Sequence, residues 1–468
     1  MLATAGVRLE ENREVLPEYF VYRFVMPPQT MFRGVLDLPP GSHLDVTVDL
    51  SGCRPAAVHG FDPPAPHLEM SVPAAAERTL ALLRGGLQSL DGAQARTAVL
   101  LSGGIDSSIL HKEAARAFGS RESYSTEYPF DDPMLSRERA YALTAATALG
   151  AQHSHFEMSV PRYLRGLIQA IAAAEIPVHH LQSVLLHGLF GEGIRSDLDV
   201  VLVGQGAGGS YGNFRNFLYR KDKLLFQIAM RQPVRSLLWL ASRVTGKGKG
   251  LIENIEHTAR AGALSSVQDP IWDWYAYGDP TWVCEHLGVT AQEVIRWPCR
   301  AMERLAARPI EDVWALYSLL GYEAVTQYIW SKIGEAKGKR IYYPYYDDAI
   351  LEFLFSVSWK TKLARPENAL RQEMARQAGV PAFIRNRPKS SFGVERSGWA
   401  ERGGVFEPIV PLAAKAIGEA SIRKLQSSDG KRPMLFWNLL NYALWKRICI
   451  DRENPLDLLG ELDIPPDR

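Results

Sequence analysis

The sequence predicts an α/β protein: a doubly wound parallel sheet, preceded by a small β unit and followed by a helical C-terminal region. Three observations predict it. The short apolar run Arg96-Thr-Ala-Val-Leu-Leu101 opens into a glycine turn, and Ser107 to Ala117 then returns to helix-compatible residues. That order of strand, turn and helix recurs as far as Val203. Beyond Gly212 the chain changes to long tryptophan-bearing and leucine-bearing stretches at helical spacing.

Taken in order, Leu16 to Val48 alternate short apolar runs, Tyr19–Val25 and Met31–Leu36, with turn signals at Pro27-Pro28 and Pro39-Pro40-Gly41. Edge strands of a small β unit are expected there. Pro55 to Pro73, rich in proline and alanine, reads as a linker, so a boundary near residue 75 divides 1–75 from 76–468. Helical spacing follows over Ala74 to Leu90, then the strand ending at Leu101. Ser123 to Thr126 reads as the next strand and Arg137 to Leu149 as a helix stopped by Gly150. His155-Phe156 begins another extended stretch, Tyr163 to Ala174 a helix, and Asp199 to Val203 a buried strand. The second half is expected to be mostly helical, at Leu224 to Val244, Ile310 to Ile333, Ala349 to Phe355 and Met434 to Ile448, with a basic loop at Val244 to Leu251. Trp314, Trp330, Trp437 and Trp445 read as core residues of these helices.

Composition narrows the function. Hydrophobic residues at 46% and charged residues at 22% are the balance of a globular protein. Lys plus Arg (53) and Asp plus Glu (52) nearly cancel, so no global field draws the molecule to nucleic acid or an anionic membrane. Cys53, Cys284, Cys299 and Cys449 have no metal or disulfide spacing, and no segment is apolar for long enough to span a bilayer. A cytoplasmic setting is expected.

Chemistry is concentrated in Ser102-Gly103-Gly104-Ile105-Asp106-Ser107. A glycine turn between strand and helix presents backbone N–H groups to an anion, and the helix dipole adds favourable potential. Ser102, Ser107 and Ser108 offer hydroxyls, and Asp106 is placed to hold Mg²⁺ against pyrophosphate. The loop is neither a Walker loop nor a dinucleotide fingerprint, lacking the lysine of one and the spacing of the other.

Leu101-Ser-Gly-Gly-Ile-Asp-Ser-Ser108 resembles the pyrophosphate loop of the N-type ATP pyrophosphatases, and its neighbours resemble the asparagine synthetase branch. They are Thr30 to Gly41, Glu138-Arg139-Ala140-Tyr141-Ala142, Gly204-Gln-Gly-Ala-Gly-Gly209, Pro344-Tyr-Tyr-Asp347 and Arg385-Asn-Arg-Pro-Lys389, in family order over about residues 16 to 400. The resemblance implies an adenine nucleotide α-hydrolase-like fold at 76–468, with 1–75 a truncated glutaminase-like remnant and linker. It implies an amide-bond synthetase using ATP and Mg²⁺, in which a carboxylate attacks the α-phosphate and an amine displaces AMP from the acyl-adenylate. By matching positions, Leu101, Ser102, Gly103, Gly104, Asp106 and Ser107 would bind pyrophosphate, with Asp106 a Mg²⁺ ligand. Gly204 and Gly206 would back the nucleotide, and Lys389 would stabilise negative charge during adenylation or on the tetrahedral intermediate.

Three departures shape the expectation. The chain starts Met1-Leu2 and keeps only the last strands of a glutaminase domain, so glutamine hydrolysis is not expected within it. The amine would be free, part of a small-molecule or peptide substrate, or delivered by a separate glutaminase or substrate-delivery subunit. Second, Gly208 and Gly209 stand where the family has Asp and Glu, and Gln205 replaces another acid. Third, Gly338-Lys-Arg340-Ile-Tyr342 replaces Ser-x-Glu-x-Arg; Arg340 suits a negatively charged or peptidic acceptor, or pairs with a surface carboxylate.

Glu138 belongs to the segment after the second strand, and Glu175 and Tyr211 are weaker candidates for a base that deprotonates the amine. His179-His180 reads as a pair of satisfied or solvent-facing side chains. The leading expectation is an AMP-forming ligase of specialised, natural-product metabolism, like the β-lactam synthetases and lasso-peptide cyclases that lack glutaminase activity. A synthetase subunit of a split amidotransferase and a non-catalytic nucleotide-binding scaffold are the alternatives.

Overall fold

The computed structural model describes residues 7–49, 52–90, 96–119, 121–129, 133–212, 280–305, 307–364, 366, 368–387, 397–426 and 433–462, together with a few positions between 228 and 241. The stretches expected at Leu224 to Val244 and Val244 to Leu251 lie largely outside these residues.

Seven strands are numbered along the described chain. β1 (His43–Asp49) and β2 (Gly52–His59) form an antiparallel hairpin. β3 (Thr97–Leu100), β4 (Glu122–Thr126), β5 (Gln152–Phe156), β6 (Val200–Leu202) and β7 (Arg340–Tyr342) form one parallel sheet in the order β5-β4-β3-β6-β7. The chain runs outward from β3 to β5, then crosses back to place β6 on the other side of β3. The strand order therefore reverses between β3 and β6, whose register pairs Thr97 with Val200 and Val99 with Leu202. In open parallel sheets, ligands bind at the carboxyl ends of the strands flanking such a reversal.

Both faces of the sheet are covered, as the near-continuous apolar strands require. Side chains alternate along a strand, so Val99, Val200 and Leu202 enter one core while Ala98, Val201 and Val203 enter the other. The first core holds α2 (Val72–Gln88) and α3 (Ile105–Phe118) with helices Asp348–Ser356 and Ala369–Gln377. The second holds α5 (Val160–Ala174), α6 (Leu181–Gly188), the run from Ile310 to Ala336 and the helix Pro433–Trp445. α4 (Pro133–Leu149) links β4 to β5. Trp314, Trp330, Trp437 and Trp445 are all buried in this second core.

The N-terminal region differs from its expectation. Leu16–Tyr22 is helix α1, not an edge strand, and the small β unit is the later hairpin at 43–59, inside the stretch read partly as linker. Tyr19 to Val25 is apolar at every position but Arg23, so alternation and helical spacing cannot be told apart there. Tertiary packing decides: Tyr19 donates its hydroxyl to the Asn438 carbonyl at 2.8 Å, and Asn438 Nδ2 donates to the Phe20 carbonyl at 3.1 Å. Pro17 suits the first helical turn, and Arg23 ends the helix in the left-handed region at φ 70°. Val15, Tyr19, Tyr22 and Phe24 are buried in the second core, so the segment 15–32 packs as part of the main body.

Candidate active site

The loop after β3 is shaped by contacts that exclude a side chain. Gly103 has φ +72°, and a Cβ there would lie 2.6 Å from the Tyr141 carbonyl oxygen, so only glycine fits. Gly104 is the N-cap of α3 without a side-chain cap, leaving first-turn N–H groups for an anion. The turn is closed internally: Ser107 Oγ donates to the Gly104 carbonyl at 3.2 Å and accepts from Ser102 N–H at 3.3 Å. Ser102 Oγ accepts from Gly104 N–H at 3.4 Å. Leu101 is buried beneath the loop and its N–H donates to the Tyr124 carbonyl at 2.8 Å. Ser108, counted with the hydroxyl donors from sequence, is fully buried and does not line the cavity.

The loop after β6 locks onto it. A Cβ on Gly204 would sit 3.0 Å from Ser107 N, and one on Gly206, at φ +116°, 2.9 Å from Tyr345 Cβ. Arg371, a residue the motif reading passed over, holds the two loops together. Its Nη1 donates to Asp106 Oδ2 at 2.8 Å and to the Ala207 carbonyl at 3.1 Å, and Nη2 donates to Asn368 Oδ1 at 3.1 Å. Tyr345 donates its hydroxyl to the Asp106 carbonyl at 2.7 Å. Arg371 is buried while the Asp106 side chain keeps 29% of its surface accessible, so Asp106 is anchored and still reaches the cavity. Asp347, at the end of Pro344-Tyr-Tyr, instead caps a helix by accepting from Ala349 N–H at 3.0 Å.

These loops form one wall of a cavity of about 650 Å³, within the about 300–1,000 Å³ of small-molecule sites. The opposite wall is α6 and the run 310–336. In that run the α-helix widens to π-type turns over Ser318–Glu323, a local expansion common at functional sites. Glu323 is a functional candidate that sequence reasoning missed. A Cβ on Gly208 would lie 2.9 Å from Glu323 Oε1, so a carboxylate from another element occupies the space beside the position where the family motif has an acid. Glu323 accepts from Tyr346 OH at 2.5 Å and from Ser318 Oγ at 2.9 Å. Burial raises its pKa above the ordinary carboxylate value, against the opposing effect of those two hydrogen bonds.

The remaining candidates separate clearly. Glu138 lines the cavity and pairs with Arg387, which also donates to the Ser102 carbonyl at 3.2 Å and stacks 4.2 Å from the Tyr141 ring centroid. Tyr211 is fully buried in the first core, its hydroxyl pKa raised by burial, and Glu175 is an exposed residue ending α5. Neither lines the cavity, so neither is placed to take a proton there. Arg340 begins β7, at the end of the parallel sheet away from the site, with an exposed side chain. It does not line the acceptor side. Lys389 lies outside the described residues.

His179 is buried and His180 half-buried at the cavity wall, and desolvation lowers the pKa of both rings. His179 Nε2 meets Thr326 Oγ1 at 2.9 Å. His180 Nδ1 accepts from Gln182 N–H at 3.1 Å, placing the ring proton on Nε2, and burial with nearby Arg23 pushes its pKa down to about 3.

The site fits a phosphate: an uncapped helix start, glycines at Gly103 and Gly204 packed against the backbone of Tyr141 and Ser107, and hydroxyls at the turn. Among the described residues, no group of three or more acidic, histidine or cysteine side chains forms a metal cage. Mg²⁺ commonly needs none, since one or two carboxylates and substrate phosphates hold it, and Asp106 supplies one.

Comparison with known proteins agrees with this geometry. The family model described as asparagine synthase matches residues 90–420. A Mycobacterium bovis protein named "Putative asparagine synthetase (glutamine-hydrolyzing)" is 23% identical over 480 residues, covering 96% of this chain and 70% of its own length. A protein of the same name from Mycobacterium tuberculosis H37Rv matches to the same extent. No helix among the described residues is long and apolar enough to cross a membrane.

Proposed function

Because the chain belongs to the asparagine synthase family of ATP-dependent amide-forming ligases, we propose that it adenylates a substrate carboxylate, releasing pyrophosphate, and transfers the acyl group to an amine with release of AMP. The observation that carries this reading is the Arg371 clamp, which fastens the glycine loop of β3 to the loop of β6 at the strand-order reversal.

In this reading the first turn of α3, with Gly103, Gly104, Ser102 and Ser107, receives the pyrophosphate, while Gly204 and Gly206 let the second loop pass close to the nucleotide. Asp106 would hold Mg²⁺, which would supply neutralisation of phosphate charge. Lys389 adds positive charge at the α-phosphate. Glu323 accepts the proton of the attacking amine; a carboxyl with a raised pKa, held by Tyr346 and Ser318, is suited to that transfer. Nitrogen then bonds to the acyl carbon, the bond to the adenylate oxygen breaks, and the amine proton ends on Glu323. The amine is free, part of the substrate, or delivered by a separate glutaminase subunit, in a cytoplasmic setting of specialised biosynthesis.

The complete clamp and the Glu323 carboxyl favour catalysis over a non-catalytic scaffold. The test is pyrophosphate and AMP release from Mg·ATP with a panel of carboxylates and amines. Substrate-dependent release lost in Asp106→Ala is the expected result; ATP binding without release from any member would return the scaffold reading.

A further inference from the structure

The two walls of the cavity differ in chemistry. The nucleotide wall carries its charges on strand ends, loops and the clamp: Asp106, Glu127, Glu138, Arg139 and Arg371. These are engaged with one another or with neighbours; Arg139, for example, donates to Glu127 at 3.2 Å and to Glu157 at 2.7 Å. The helical wall is Leu185 and Leu186 of α6, with Leu189 just beyond it, facing Trp314, Tyr322 and Trp330 of the run 310–336.

That second wall keeps its polar atoms to itself. Trp330 Nε1 donates to Ser183 Oγ at 2.8 Å, and Thr326 Oγ1 donates to the Tyr322 carbonyl at 2.8 Å. The His179 ring stands edge-on to Tyr322, 5.0 Å between centroids. The other polar lining residues of this wall are uncharged: His180, Gln182, Ser318, Tyr322 and Thr326. Among the described residues of this wall, Glu323 is the one formal charge and there is no cation. Arg23 lies against the Tyr322 ring, 6.0 Å from its centroid, and does not line the cavity.

We propose that the carboxylate substrate is seated between α6 and the run 310–336, and that its acyl body is apolar, aromatic or branched aliphatic, carrying no second charge. This rests on the adenylation reading above. An amino-diacid such as aspartate would need a cation for its spare carboxylate and would meet Glu323 instead. Burying a carboxylate without a partner is costly, whereas an apolar body gains by leaving water against leucine and tryptophan. The physical basis of the preference is therefore the helical wall and not the nucleotide loops.

The test uses the full chain with a matched panel: 3-phenylpropanoate and 4-methylpentanoate against aspartate and succinate. Two readouts are taken, binding by calorimetry and pyrophosphate release from Mg·ATP with an amine present. The expected result is a preference on the order of a hundredfold for the apolar acids in both. Leu186→Arg, which introduces a cation into that wall, is expected to shrink the preference and to raise the response to succinate. Apolar acids that bind selectively without pyrophosphate release would uphold the specificity and remove the adenylation reading. Release driven best by aspartate or succinate would uphold adenylation and overturn the specificity. Failure of the apolar acids to bind in preference to aspartate and succinate would also overturn it, whatever Leu186→Arg does to folding.

Discussion

Glu323 shows how a single carboxyl can be assigned by its surroundings. It accepts hydrogen bonds from Tyr346 and Ser318, and its Oε1 fills the space beside Gly208. Glu323→Gln should lower amide formation on the order of a hundredfold while leaving pyrophosphate release during adenylation largely intact, measured by single-turnover assays of each half-reaction. Tyr346→Phe removes a donor to the charged form, so the acidic limb of the rate profile should move to higher pH. The sign for stability follows from the same shift. Glu323 binds its proton more tightly folded than unfolded, so wild-type stability should fall as pH rises from the ordinary 4.5 through the raised folded value. Thermal melts of Glu323→Gln should lack that fall. At Asp106, Asp106→Asn should reduce pyrophosphate release on the order of a hundredfold, since the carboxylate proposed to hold Mg²⁺ would lose its charge.

At the scale of elements, two devices position the site. One is the Arg371 clamp: Arg371→Met leaves Asp106 and the Ala207 carbonyl without their shared donor. With Asp106 partly solvated, the expected loss is ~2 kcal/mol in denaturant melts, together with weaker ATP binding. The other is the widened turn at 318–323, where α1 and its following segment act as a buttress. A Cβ on Gly321 would meet Met26 Cε at 2.8 Å and Phe24 Cε2 at 2.9 Å, so the N-terminal residues press directly on the turn that bears Glu323. Phe24→Ala should cost about 3 kcal/mol and lower turnover while leaving nucleotide affinity unchanged. Neither device was legible locally. Arg371 looks like an ordinary residue of an amphipathic helix, and the Ile310 to Ile333 periodicity gives no sign that the helix widens.

For the whole molecule, the strand order β5-β4-β3-β6-β7 brings together loops about a hundred residues apart in sequence. The β3 and β6 runs, the helices between them and the glycine loop were readable because local spacing and turn chemistry dictate each one. The packing of the segment 15–32 was not. Deleting residues 1–32 would expose the second core where Val15, Tyr19, Tyr22 and Phe24 lie buried, so the truncated chain is expected to lose its cooperative melt rather than a dispensable appendage.

By itself the sequence determined the α/β class and the glycine loop at Ser102 to Ser107, because these rest on short-range patterns of apolar spacing, glycine and hydroxyl, and its motifs carried the resemblance to the family. Only the tertiary structure decided that Tyr19–Val25 is not a strand, that Arg340 faces away from the site, and that Glu323 stands beside Gly208. The reason is physical: these depend on which distant surfaces meet when both faces of the sheet are covered, and an apolar run or a lone glutamate carries no local mark of its eventual neighbour.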